Sequence, residues 1–235
     1  MGPDRETILE VARQTEVLRP PRQHLATFGI TNVRYYLVTE PSYADLVGGE
    51  VRETVVREGL VVVERPQIVT PYYLYNLFQG FEHGQEFASF LMETYGPQSP
   101  GLLYSYRNEL EGTGIVSDPL AVVAGRLRDT LDRERRNLAA VVKGVDHLWD
   151  ISLMKFIFDL TVGSLSRNVQ EMAERGLFRM ERGVPQAAHE RIHELFAAVR
   201  AGEVPPSTLK AELDRWGLFE EYQDRFFDLF RRRRG

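Results

Sequence analysis

Residues 189–193 read His-Glu-Arg-Ile-His, the spacing that sets two imidazoles on one helix face with a glutamate between them to activate a metal-bound water. Zinc would need a third ligand, and Glu203 or Glu212 can be nominated only by spacing. On a helical wheel Ala188, Ile192, Leu195, Phe196 and Val199 form the buried stripe. His189 and His193 fall on its flank, and Glu190 points with Glu194 toward water. Arg191 would place a cation beside a dication. The wheel favours a pair of boundary histidines over a zinc site, and no cofactor is expected.

A second group, Lys143, Asp146, His147 and Asp150, falls at i, i+3, i+4 and i+7. If residues 138–160 form one helix, these four make a narrow polar stripe on an otherwise apolar rod. An aspartate beside a histidine raises the imidazole pKa and orients the ring, which is the arrangement of a general acid or base. A solvated stripe closed by ion pairs is the favoured reading, and His147 with its carboxylates is the best catalytic candidate. A third group is aromatic: nine of the ten tyrosines lie between Tyr35 and Tyr106. Tyr35, Tyr36, Tyr72, Tyr73, Tyr75, Tyr104 and Tyr106 combine apolar area with a hydroxyl and suit a binding surface. Tyr35 and Tyr36, adjacent on a strand, must point to opposite faces, so one of them is expected in water or against a partner.

The elements that must position these groups follow from periodicity. Residues 5–18 carry a weak helical period ended by Arg19-Pro20-Pro21. Residues 31–41 read as an antiparallel strand, and residues 51–66 as a hairpin turning at Glu58-Gly59. A helix over about 72–95 follows Thr70-Pro71, with Gly80 and Gly84 placed to bend or break it. Residues 96–117 read as a loop. From Ser117-Asp118-Pro119 onward the pattern is helical, with a capped helix first, then the buried helix over 138–160, then helices over 186–201, 207–216 and 218–234. The last pairs an aromatic stripe with acids at its start and Arg231–Arg234 at its end, matching the macrodipole. The expected fold is α+β, mostly helical, with a small N-terminal antiparallel sheet of about three strands packed on helices. Two regions are expected, a Tyr-rich one over 1–116 and a helical one over 117–235 around the buried helix.

Composition narrows the function classes. The 235 residues are 43% hydrophobic and 27% charged, without cysteine, so thiolate chemistry is excluded and a reducing cytoplasm fits. The first 116 residues carry a net −6 and the remainder +1, which disfavours nucleic acid. Arginine outnumbers lysine 26 to 3, as a GC-rich bacterial genome produces, and the scarcity of asparagine suits a thermophile. No secretory signal or membrane span is legible. The sequence is therefore read as a cytoplasmic binding or assembly protein that associates with itself or another protein. A small-molecule ligand is a further possibility, and a metal- or His/Asp-dependent hydrolase is the alternative.

Overall fold

The structure is a computed structural model and describes residues 3–43, 52–81 and 83–231. In chain order the elements are α1 (Arg5–Gln14), β1 (Glu16–Arg19), β2 (Thr31–Thr39), β3 (Thr54–Val63), β4 (Gln67–Val69), α2 (Pro71–Leu77), α3 (Gly84–Tyr95), β5 (Gly101–Leu103) and β6 (Tyr106–Val116). They continue with α4 (Leu120–Arg133), β7 (Ala139–Lys143), a 3-10 turn (Asp146–Leu148), α5 (Trp149–Glu174), β8 (Met180–Glu181), β9 (Val184–Pro185), α6 (Gln186–Ala201), α7 (Pro206–Trp216) and α8 (Phe219–Arg231). The fold is α+β. Two compact units form, one from Met1–Arg65 and Tyr104–Gln170, the other from Pro66–Leu103 and Glu171–Gly235. Residues 1–116 and 117–235 each contribute to both.

The first unit is built on a mixed five-stranded sheet of order β1-β7-β2-β3-β6, in place of the expected N-terminal sheet of about three strands. β2 and β7 run parallel and are neighbours; the other pairings are antiparallel. A strand with neighbours on both sides and helices over both faces must be apolar throughout. In β7, Ala139, Ala140, Val141 and Val142 are all buried. Their run is the reason the expected helix over 138–160 fails: a short all-apolar segment has no period to tell a buried strand from a buried helix. The β-branched pair Val141-Val142 and the break at Gly144 mark the strand. Val33, Tyr35 and Leu37 of β2 face Leu153 and Phe156 of α5, while Val38 and Val141 face Val123, Ala124 and Leu131 of α4.

Other boundaries shift for local reasons. α1 stops at Thr15, whose N–H bonds Val11 O, and Val17 and Leu18 belong to β1 rather than to a helix through residue 18. Arg19 closes β1, buried, with its guanidinium on Asp132 at 2.8 Å and on the carbonyls of Ala139 and Arg136. α4 begins at Leu120 with Pro119 in the cap position, and neither Ser117 nor Asp118 caps it. Residues 106–116, expected in a loop, form the edge strand β6. Its outward polar side chains and glycines erase the alternation that marks a half-buried strand.

The hairpin expected at Glu58-Gly59 is instead one ten-residue strand, β3. Gly59 serves close approach. A Cβ there would lie 2.6 Å from both the Glu109 carbonyl oxygen and the Tyr35 hydroxyl, beside a bulge in the β3–β6 ladder.

In the second unit Thr70 caps α2 by accepting the Tyr73 N–H, and the chain breaks between Leu77 and Gly84, with Gly80 at φ 92°. α6, α7 and α8 enclose a core of Ile192, Phe196, Leu209, Leu213 and Trp216, joined by Tyr73 from α2 and Phe226 and Leu229 from α8. α8 is thus packed within its own unit; the arginines after Arg231 lie outside the described residues. Gly59→Ala is expected to destabilise the protein by about 1–3 kcal/mol, since neither the carbonyl nor the tyrosine ring can give way freely. Its denaturant midpoint measures this.

Candidate functional site

Where two parallel strands end side by side and their chains depart differently, a crevice opens beyond the carboxyl ends. After β2 the chain runs through Glu40-Pro41-Ser42, and after β7 through Gly144-Val145-Asp146. A cleft of about 550 Å³ lies here, walled by α1 through Asp4, Glu6, Glu10 and Gln14, and by Glu40, Ser42, Asp146 and His147.

Asp146 fastens the cleft's base. Its Oδ1 accepts from Arg57 at 2.8 Å and from the Thr39 hydroxyl at 3.0 Å, and its Oδ2 accepts from the Ser42 N–H at 3.0 Å. Both partners of the ion pair are largely shielded, with side chains 13% exposed for Asp146 and 14% for Arg57. The Arg57 guanidinium also stands 5.5 Å from the centre of the Trp149 ring. Burial pushes the Asp146 carboxyl up, but the donors from Arg57, Thr39 and Ser42 outweigh it and hold the group below the usual carboxylate range. Behind it the Ser152 hydroxyl accepts the Val145 N–H and takes a bond from Thr15. Gly144 permits this, since a Cβ there would lie 2.7 Å from the Ser152 side chain.

The polar stripe expected on one helix is dispersed over three structures. Lys143 ends β7, Asp146 and His147 sit in the 3-10 turn, and Asp150 is exposed in the first turn of α5, where it complements the macrodipole. His147 is exposed on the cleft wall, and no hydrogen bond joins it to a carboxylate among the described residues. The carboxylate next to it in sequence is already engaged three times over. What the arrangement offers chemically is a rigid floor under four further carboxylates, those of Asp4, Glu6, Glu10 and Glu40. The acidic balance of the first 116 residues was their one signal in the sequence. Arg57 had none, because its partner lies 89 positions away.

The tyrosines divide between the two units, and none of the seven lines the cleft. Tyr35 is fully buried and donates to Asn108 at 3.0 Å. Tyr36 does point to the opposite face, but it packs half-buried against the α4 side, because this sheet is covered twice over. Tyr104 stacks near Tyr106 and donates to Asn168 at 2.8 Å; burial pushes its hydroxyl up to about 12. Tyr106 bonds Thr161. In the second unit Tyr72 is exposed, Tyr75 half-buried and Tyr73 buried.

On α6 the expected stripe is the buried one, and Glu190 and His193 are exposed. His189 Nδ1 lies 3.3 Å from the Tyr222 hydroxyl, while its Nε2 is buried without a hydrogen-bond partner among the described residues. Glu212, nominated as a third ligand, is buried and accepts from Tyr73 at 3.1 Å, Trp216 at 3.1 Å and Arg215 at 3.4 Å. Among the described residues no group of three or more His, Asp or Glu is placed to hold a metal ion.

Two substitutions test these roles. Asp146→Asn is expected to cost about 1.5–3 kcal/mol at pH 7, the scale of a hydrogen bond to a charged group. Because the folded carboxyl titrates below its unfolded value, that stabilisation is present above about pH 4 and is lost as the pH falls further. The gap between variant and parent in urea denaturation should therefore narrow at low pH. Glu212→Leu strands the Tyr73 hydroxyl and the Trp216 N–H in the core and is expected to cost about 3 kcal/mol, read as a lowered denaturation midpoint.

No family model, no curated protein and no solved structure matches this chain, so its function is read from its own geometry.

Proposed function

We propose that the protein works by binding rather than by catalysis, and that its first unit takes a small organic cation, an amine or a guanidinium, in the cleft beyond β2 and β7. The observation that carries this reading is the state of Asp146. A carboxylate whose two oxygens are held by Arg57, Thr39 and Ser42, with no hydrogen bond to His147 among the described residues, supports the floor rather than orienting an imidazole for proton transfer. The walls above it are acidic, and carboxylates gathered in a concave site concentrate cations. A chain without cysteine suits a cytoplasmic setting, and no helix among the described residues is long and apolar enough to cross a membrane.

Isothermal titration with spermidine and with arginine methyl ester, set against citrate as the anionic control, tests the proposal. Saturable binding of a cation at one site per chain is expected, with the double variant Glu6→Gln, Glu40→Gln weakening it by roughly 3- to 10-fold, as two exposed charge contacts would. Binding of citrate alone, or cation binding indifferent to the two substitutions, would sink it.

A further inference from the structure

β6 is the outer strand of the five-stranded sheet, and among the described residues no strand pairs with its far edge. One bond fixes the phase of its backbone. The Glu64 N–H donates to the Ser105 carbonyl at 3.0 Å, in the register that puts Val63 opposite Tyr106. Bonded and non-bonded positions alternate along an antiparallel ladder, so Ser105, Arg107 and Glu109 turn their N–H and C=O groups toward β3. Tyr106, Asn108 and Leu110 turn theirs outward. Side chains alternate as well. Asn108 accepts from Tyr35 and Tyr106 bonds Thr161, so Tyr106, Asn108 and Leu110 belong to the α5 face of the sheet. Arg107 and Glu109 belong to the opposite face, 2.8 Å apart and 70% and 45% exposed. Neither proline nor lysine interrupts residues 105–111, and the bulge that skips Glu111 ends the regular stretch.

We infer that this edge pairs with the same edge of a second copy, β6 against β6, antiparallel about a two-fold axis at Asn108, so that two sheets join into one. Charge selects the register. Centred on Asn108, Arg107 stands opposite Glu109 of the second copy and Glu109 opposite its Arg107, the reciprocity that a two-fold axis imposes. Centred on Arg107 or on Glu109, like charges meet at the axis; centred on Leu110, Glu109 faces Glu111. The register at Asn108 is also the one in which all three outward residues find partners: residues 106, 108 and 110 exchange hydrogen bonds with residues 110, 108 and 106 of the second copy. On the α5 face Tyr106, 37% exposed, meets Leu110 of the second copy, 47% exposed. The bond between Arg107 and Glu109 within each chain need not break, because the four side chains close into a ring of alternating sign. In strand addition the main chain supplies the attraction and the side-chain pairs supply the specificity. So short a contact stands at the small end of specific interfaces, and the dimer forms reversibly with concentration.

No residue of β6 lines the acidic cleft, so the dimer and the binding reading stand or fall separately. Sedimentation velocity on the full chain is expected to show monomers of 27.0 kDa passing into dimers as the concentration rises through the micromolar range. Arg107→Glu sets like charges opposite each other twice and should weaken the dimer by about 10-fold or more, with an unchanged circular dichroism spectrum. Adding Glu109→Arg restores opposite signs across the axis and should restore the dimer. Amide hydrogen exchange reads the edge in the parent chain. The N–H groups of Tyr106, Asn108 and Leu110 should exchange fast in dilute solution and slow as dimers form, while those of Arg107 and Glu109 stay slow throughout. A parent chain monomeric over the whole range, a dimer indifferent to Arg107→Glu, a double variant no tighter than the single one, or outward amides that never slow overturns the inference.

Discussion

Two adjacent parallel strands, β2 and β7, have to be dry on both faces, and the organisation of the first unit follows from that requirement. One face is closed by α5 through Leu153 and Phe156, the other by α4 through Val123, Ala124 and Leu131. The antiparallel strands β1 and β3 then satisfy the outer backbone edges of the pair. With both faces and both edges of the pair covered, the cleft lies beyond their carboxyl ends. The cleft is therefore a by-product of the sheet's own packing, and the side chains around it are largely acidic.

Each unit fastens its core with one shielded carboxylate. In the first, Asp146 ties the turn after β7 to the end of β2 and to β3 through Ser42, Thr39 and Arg57. In the second, Glu212 ties α7 to α2 through Tyr73 and satisfies Trp216 within its own helix. A charge withdrawn from water must find donors for its lone pairs, and both groups do. Both carboxylates thereby act as fasteners between segments of their own unit.

The sequence was most legible where periodicity runs long or punctuation is strong. α6 repeats its apolar stripe over sixteen residues, α7 starts behind Pro205-Pro206, and Gly217 separates it from α8. Gly80 and Gly84 interrupt a helical period and do break it. Legibility failed where one local pattern serves two structures. The apolar run before Gly144 satisfies a buried helix or a buried strand, and only the neighbours of β7 decide between them. Glu58-Gly59 reads as a turn until the Tyr35 hydroxyl is seen resting against Gly59. For the site, Asp146 stood out in the sequence for a helical stripe that does not form, and the partners that define its role come from three separate segments of chain.

The interleaving of the two units bears on how the protein is made. The chain passes between them after Arg65, after Leu103 and after Gln170. On the ribosome, residues 66–103 emerge long before α6, α7 and α8, the helices whose core Val69 and Tyr73 complete. Those early residues must wait with their apolar side chains uncovered while the first unit is still being synthesised around them. Native structure in the second unit is deferred until α6, α7 and α8 have been made.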